Sequence, residues 1–244
     1  MSAYGNMEKG LPGLLVGLQS THTIDTRLAE GAIGFGVPAF GCGDGEGVKG
    51  KGDGALLGMT SRTDYDAPNY RDGDAVNVCR TGKIYGVAGE AISADDEVSV
   101  NGSTGKIVAK TSASAGAKRT ATITIANTSA ADKVVSVKVG DKGVEVATTA
   151  DCKSANEVAA ALKAALEGVD IPFVATVSSA VVTLTAKEKG ASVNDVAITG
   201  STTDSTQTVT VADGTSGADA ILNPGWFARS TAEAANDLLV VDLG

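Results

Sequence analysis

The stretch "GKIYGVAGEAISADDEVSVNGSTGKIVAK", Gly82–Lys110, decides the fold class. It breaks into short apolar runs separated by Gly and Asp turns. That pattern predicts strands over Lys83–Val87, Glu97–Val100 and Lys106–Lys110. Turn signals at about every tenth residue belong to a small barrel or sandwich. Far along the chain, "LNPGWFARST" and "NDLLVVDLG" resume the same style, and Leu238–Leu243 predicts a closing strand.

The residues in between read differently. "RTATITIANT", "VVSVKVG" and "GVEVATTA" alternate polar and apolar positions, which predicts a strand and then a hairpin over Gly140–Gly143. In "SANEVAAALKAALEG", Ser154 and Glu157 form a capping box, and Val158, Ala161, Leu162, Ala165 and Leu166 recur at helical spacing up to Gly168. "FVATVSSAVVTLTAK", "DVAITG" and "TQTVTVADG" predict further strands. Two Ser/Gly/Ala-rich joints, Lys110–Lys118 and Asp213–Ala220, bound this block. The expected architecture is therefore mainly β. A discontinuous β domain, 26–117 and 218–244, follows an N-terminal extended arm, 1–25. It is interrupted by an inserted α+β domain, 118–217, with one helix on a mostly antiparallel sheet.

Composition narrows the function. The net charge is −9 and Lys and Arg form no run, so direct nucleic-acid binding is not expected. Aromatics are 4% of the chain, too few for an aromatic-lined ligand pocket or a sugar platform. The apolar run Leu11–Leu18 is far short of the roughly 20 residues a membrane helix needs, so no membrane association is expected. Cys42, Cys79 and Cys152 are an odd set without C-x-x-C spacing, and free thiols are expected.

No reaction centre emerges, so the chain is read as a non-enzyme without cofactor or metal. His22 is the only histidine and falls in the expected arm. The glycine-rich "GCGDGEGVKGKGDG", Gly41–Gly54, lacks both the phosphate-loop hydroxyl after Lys51 and EF-hand spacing. It reads as a mobile loop, with weak calcium binding as the second reading. Trp226, beside Phe227, reads as a core anchor or as a candidate interface anchor.

Three motifs in chain order carry a resemblance: "GLPGLLVGLQSTHTIDTRLAEGAIGFGVPAF" (Gly10–Phe40), "GKIYGVAGEAISADDEVSVNGSTGKIVA" and "DLLVVDLG". They resemble bacteriophage capsid cement (decoration) proteins, with Asp95 standing where that family often has Gly or a similar turn residue. The resemblance implies a virion protein made in the host cytoplasm and placed on the capsid exterior. It implies a homotrimer whose partner is the major capsid protein, with shell stabilisation as its role. On that reading Leu11, Pro12, Leu14, Leu15, Val16 and Leu18 of the arm form the capsid interface, and the inserted domain is free to touch the host surface. The insert is also similar to α/β domains inserted in phage tail-sheath and other virion proteins, so a tail sheath or tube component is the alternative. An adhesin-like or carbohydrate-binding module is the third.

Overall fold

The computed structural model describes residues 10–17, 22–63, 67–149 and 154–244. It divides into two compact units: unit one, residues 1–115 and 220–244, and unit two, residues 116–219.

Unit one opens with β1 (Leu15–Val16), β2 (Thr23–Ala29), β3 (Ile33–Gly34), β4 (Pro38–Gly41), β5 (Gly47–Lys49), β6 (Leu56–Thr60), β7 (Asn69–Tyr70) and β8 (Ala75–Thr81). β9 (Lys83–Val87), β10 (Glu97–Asn101) and β11 (Lys106–Ala109) follow almost where the Gly82–Lys110 pattern puts them. β12 (Ser114–Ala117) leads into unit two, which holds β13 (Thr120–Ala126), β14 (Lys133–Val139), β15 (Lys142–Thr148) and α1 (Ala155–Glu167). Then come β16 (Phe173–Ser178), β17 (Val181–Ala186), β18 (Ile198–Thr202) and β19 (Thr208–Asp213). β20 (Ala218–Ala228) and β21 (Leu238–Asp242) complete unit one. The two expected flexible joints thus carry β12 and the first residues of β20.

β2, β5, β4, β6 and β8 close a five-stranded barrel. Val48, Val76 and Val78 of its strands pack with Ile33 and Phe35, and the Phe35 and Tyr70 rings meet edge-on at 4.8 Å. The glycine-rich Gly41–Gly54 stretch, read as a mobile loop, is in part structural. Gly47–Lys49 is a barrel strand, and Val48 is fully buried.

The second layer of unit one is a sheet ordered β1-β9-β21-β20-β10-β11. The closing strand β21 therefore lies inside the sheet, between β9 and β20. The two strand–loop–strand pieces, β9–β10 and β20–β21, repeat each other's bonding. Ala88 N donates to Asp237 O (2.9 Å) and Ala228 N to Asp96 O (2.9 Å). Asn236 N returns to Ala88 O (2.8 Å) and Asp95 N to Ala228 O (2.7 Å), while Ile92 and Ala232 exchange a bond each way (2.9 Å). Asp95 (φ 69°) and Asn236 (φ 70°) occupy the same left-handed corner. Asp and Asn tolerate that region, which glycine enters freely.

In unit two the strands divide into two antiparallel sheets, β16-β17-β13-β19 and β15-β14-β18. Both contribute to one core, where Val158, Leu162 and Leu166 of α1 meet Ile123, Val137, Phe173 and Leu184. The capping box forms: Ser154 accepts from the Glu157 amide, and Glu157 accepts from the Ser154 amide. Gly168 ends the helix without a left-handed turn (φ −77°), its N–H bonding Ala165 O. Of "DVAITG", only the end is strand; Ala191–Asp195 forms a 3-10 turn. Arg119, nearly buried, donates to Val193 O (2.8 Å), Val196 O (2.6 Å) and Asp213 Oδ1 (2.6 Å), tying that turn to β19.

Candidate interaction surfaces

The sequence singles out the N-terminal segment as the candidate interface. Its described part, Gly10–Gly17, lies along the sheet instead of projecting from it. Leu15 and Val16 pair with Ile84 and Lys83 of β9. Gly13 N donates to Tyr85 O (2.7 Å), Tyr85 N to Leu14 O (2.9 Å) and Arg62 N to Gly13 O (2.7 Å). The Arg62 guanidinium also donates to Pro12 O (3.1 Å) and stacks over the Phe35 ring at 4.2 Å.

Glycine explains this fit. Gly13 and Gly36 both have positive φ, and a Cβ on Gly36 would sit 2.5 Å from Tyr85 O and 2.6 Å from Gly13 N. The Gly-Leu-Pro-Gly start and the "GFG" of Gly34–Gly36 are two halves of one backbone crossing. Of the six expected interface residues, Leu11 is 41% exposed, while Pro12, Leu14, Leu15 and Val16 are half-buried in contacts within unit one. Leu18 lies outside the described residues. The expected arm also ends earlier than residue 25, because the barrel strand β2 starts at Thr23.

β2 carries a surface that the sequence reading did not single out. Ile24, Thr26 and Leu28 share one face of the strand and are all exposed, Ile24 at 44% and Leu28 at 50%. Asp25 and Arg27 alternate to the other face and pair at 2.7 Å, with Arg80 at 3.8 Å from Asp25. Hydrogen bonding from Arg27 holds the Asp25 carboxyl below its ordinary range. Arg27 also donates to Gly45 O at the barrel rim. The result is an uncharged aliphatic stripe with its neighbouring charges mutually neutralised. Alternation alone marks two faces of β2; it does not say which of them meets water.

Trp226 is 6% exposed and packs in the core with Val98, Ile107 and Val241. It lines a groove of ≈ 710 Å³ together with Leu56, Leu222, Pro224 and Arg80. The candidate interface anchor is thus a core residue in a groove wall, because β20 turns alternate residues to opposite faces. Phe227, its neighbour, is the exposed one at 39%, under the Arg229 guanidinium at 5.5 Å.

Among the described residues the candidate chemical groups are not gathered into a centre. The His22 ring bonds Lys83 O through Nε2 at 2.9 Å. Cys42 and Cys79 are free thiols. Burial, then neighbouring Glu30, pushes Cys42 up to about 11, and burial pushes Cys79 up to about 11. Cys152 lies outside the described residues. In the Gly41–Gly54 region, Asp44 accepts from the amides of Glu46 (3.0 Å) and Gly47 (2.8 Å), closing a turn. Those amides hold its carboxyl below the ordinary range. Among the described residues no three His, Cys, Asp or Glu side chains converge as metal ligands, and no helix is long and apolar enough to cross a membrane.

Comparison with known proteins adds the decisive observation. Residues 2–140 match the family described as "Structural cement protein (E217 gp24/Pam3 gp6)". No curated protein matches the chain. The matched residues include the N-terminal segment, the whole barrel and β9–β11, and they run on through β14 of unit two. β20 and β21 fall outside the match, although they supply the central strands of unit one's sheet. More than half of the chain is covered, and it belongs to the phage structural cement protein family, a family of virion structural proteins.

Proposed function

We propose that the protein binds the outside of the assembled head as a homotrimer and stabilises the shell, with the major capsid protein as its partner. Family membership over residues 2–140 carries this reading. A protein that binds only the assembled lattice shifts the equilibrium towards it by linkage. Three copies held together turn a weak single contact into firm attachment through effective concentration.

Unit one is the gripping part on this reading. Its exposed aliphatic stripe, Ile24 and Leu28, and Leu11 of the N-terminal segment are the contact groups. Burying each such side chain contributes roughly 1.5–3 kcal/mol before ordering costs. β2 pairs with β8 from Thr23 to Leu28 and with β5 at Leu28–Ala29, so little order has to be created on binding. Unit two folds as a separate module that leaves the grip intact and is free to face outwards.

Co-sedimentation with undecorated, expanded shells tests this, alongside the mass of the free protein. The expected results are retention on shells, a higher shell disruption temperature, and three chain masses in solution. The variant Ile24→Lys/Leu28→Lys is expected to keep its fold and lose retention. Failure of the wild-type protein to sediment with shells would overturn the reading. Wild-type retention of the double variant would move the contact away from β2.

A further inference from the structure

We propose that the outer edge of β16 is a self-pairing edge, through which two copies of unit two join antiparallel about a two-fold axis. β16 is the terminal strand of its sheet; β17 takes one side, and no described residue pairs with the other. An open row of backbone N–H and C=O groups is a template for another strand, and folded proteins usually blunt it with Lys, Pro or a bulge. β16 reads FVATVS, with no charge and no Pro. Its register with β17 runs unbroken from Phe173↔Ala186 to Ser178↔Val181. Val174 is 51% exposed and Val177 38%, leaving apolar surface open on both faces of the same edge.

The charge pattern favours a second copy as the occupant. The chain carries −9 overall, which opposes contact between copies at most places on its surface. This edge is an exception. The sheet face behind it is built from hydroxyl and methyl groups: Thr176, Thr183 and Thr122 form one cross-strand row, and Val174, Thr185 and Thr120 the next. In an antiparallel two-fold, the Phe173 end of one copy lies beside the Ser178 end of the other. The charged Asp170 and Lys187 near the first end then meet an uncharged Ser179–Ala180 turn. A two-fold within the strand also keeps outward side chains opposite outward ones and inward opposite inward, as an isologous contact requires. Six residues bury less than the roughly 1,000 Å² of a stable interface, so the contact strengthens where copies are crowded side by side. It does not depend on what unit one binds.

The test uses full-length protein at high concentration, carrying Thr176→Cys on this edge or Ala212→Cys on the far strand of the same sheet. Mild oxidation is followed by non-reducing mass analysis. Thr176→Cys is expected to form covalent pairs several-fold faster than Ala212→Cys. Adding Val174→Lys and Val177→Lys is expected to erase that excess, with amide exchange of β13 confirming an intact unit two; Val174→Lys alone serves if the pair disturbs the fold. Equal rates at the two cysteines, or an excess that survives the lysines, would overturn the proposal.

Discussion

Unit two and unit one solve the same problem, burying small apolar side chains in sheets, by different means. In unit two the strands are long and regular, neighbours pair over five to seven residues, and one capped helix completes a single core. In unit one many strands have two to five residues, and the chain is held by crossings of bare backbone, such as Gly13 against Gly36. Side-chain packing is graded: a lost methyl leaves a cavity of proportionate cost. Backbone crossing is close to all-or-none, because no rotamer relieves a Cβ placed against a carbonyl. Unit one should therefore be intolerant at a few glycines, and unit two evenly tolerant along its core.

The largest expected effect tests that contrast. Gly36→Val combines a forbidden φ with an overlap on Tyr85 O, and together these cost roughly 3–5 kcal/mol. Hydrogen-exchange mass spectrometry is expected to show lost protection in β1, β6 and β9 with unit two unchanged. Protection of β9 at the wild-type level would mean that the crossing relaxes cheaply. Next comes Leu162→Ala at the centre of unit two's core, with an expected loss of about 3 kcal/mol confined to β13–β19 and α1. Spread of that loss into the barrel strands would contradict separate folding.

A pH-dependent effect follows. Asp204 is buried and accepts from the amides of Thr206 (2.8 Å) and Ala130 (2.7 Å) and from the Ser129 hydroxyl (3.1 Å). These bonds hold its carboxyl far below the ordinary carboxylate range. Its folded pKa is depressed, so its contribution is complete above the unfolded value of about 3.9 and is lost as pH falls below it. Unit two is expected to lose amide protection on acidification through that window, and Asp204→Asn is expected to remove that pH dependence while lowering protection at neutral pH. An unchanged acid profile in the variant would assign the effect to other carboxylates.

The smallest effect is at the repeated corner. Asp95→Gly relieves φ 69° but gives up the 3.3 Å contact with Arg229 Nη1, so thermal melting is expected to move by less than about 0.5 kcal/mol. Asp95→Val at the same corner is expected to cost about 1–2 kcal/mol. Equal stability of the two variants would show that the corner is not strained.

The same contrast governs what the sequence reveals. β13–β15, α1, β16 and β17 were legible because period 2, period 3.6 and a capping box are local signals. β9, β10, β11 and β21 were legible as strands for the same reason. Their order was not, since β21 enters between β9 and β20 by pairing across more than a hundred residues. The repeat linking Ala88–Asp96 to Ala228–Asp237 was hidden by one extra residue and by the change from Asp95 to Asn236. β5 was missed because its single buried side chain, Val48, sits among glycines. Gly10–Gly17 read as a free arm because its glycines interrupt any stripe; those glycines are what lets it lie against the sheet. The stripe of Ile24 and Leu28 was invisible for a simpler reason: alternation marks two faces without saying which one water reaches.

The division of labour between the units is tested most directly by excising residues 116–219, joining 115 to 220 through a short Gly-Ser linker, and measuring retention on undecorated shells. The account predicts a folded unit one that sediments with shells as the full chain does. A folded unit one that stays in the supernatant would contradict it, and would place the grip in unit two.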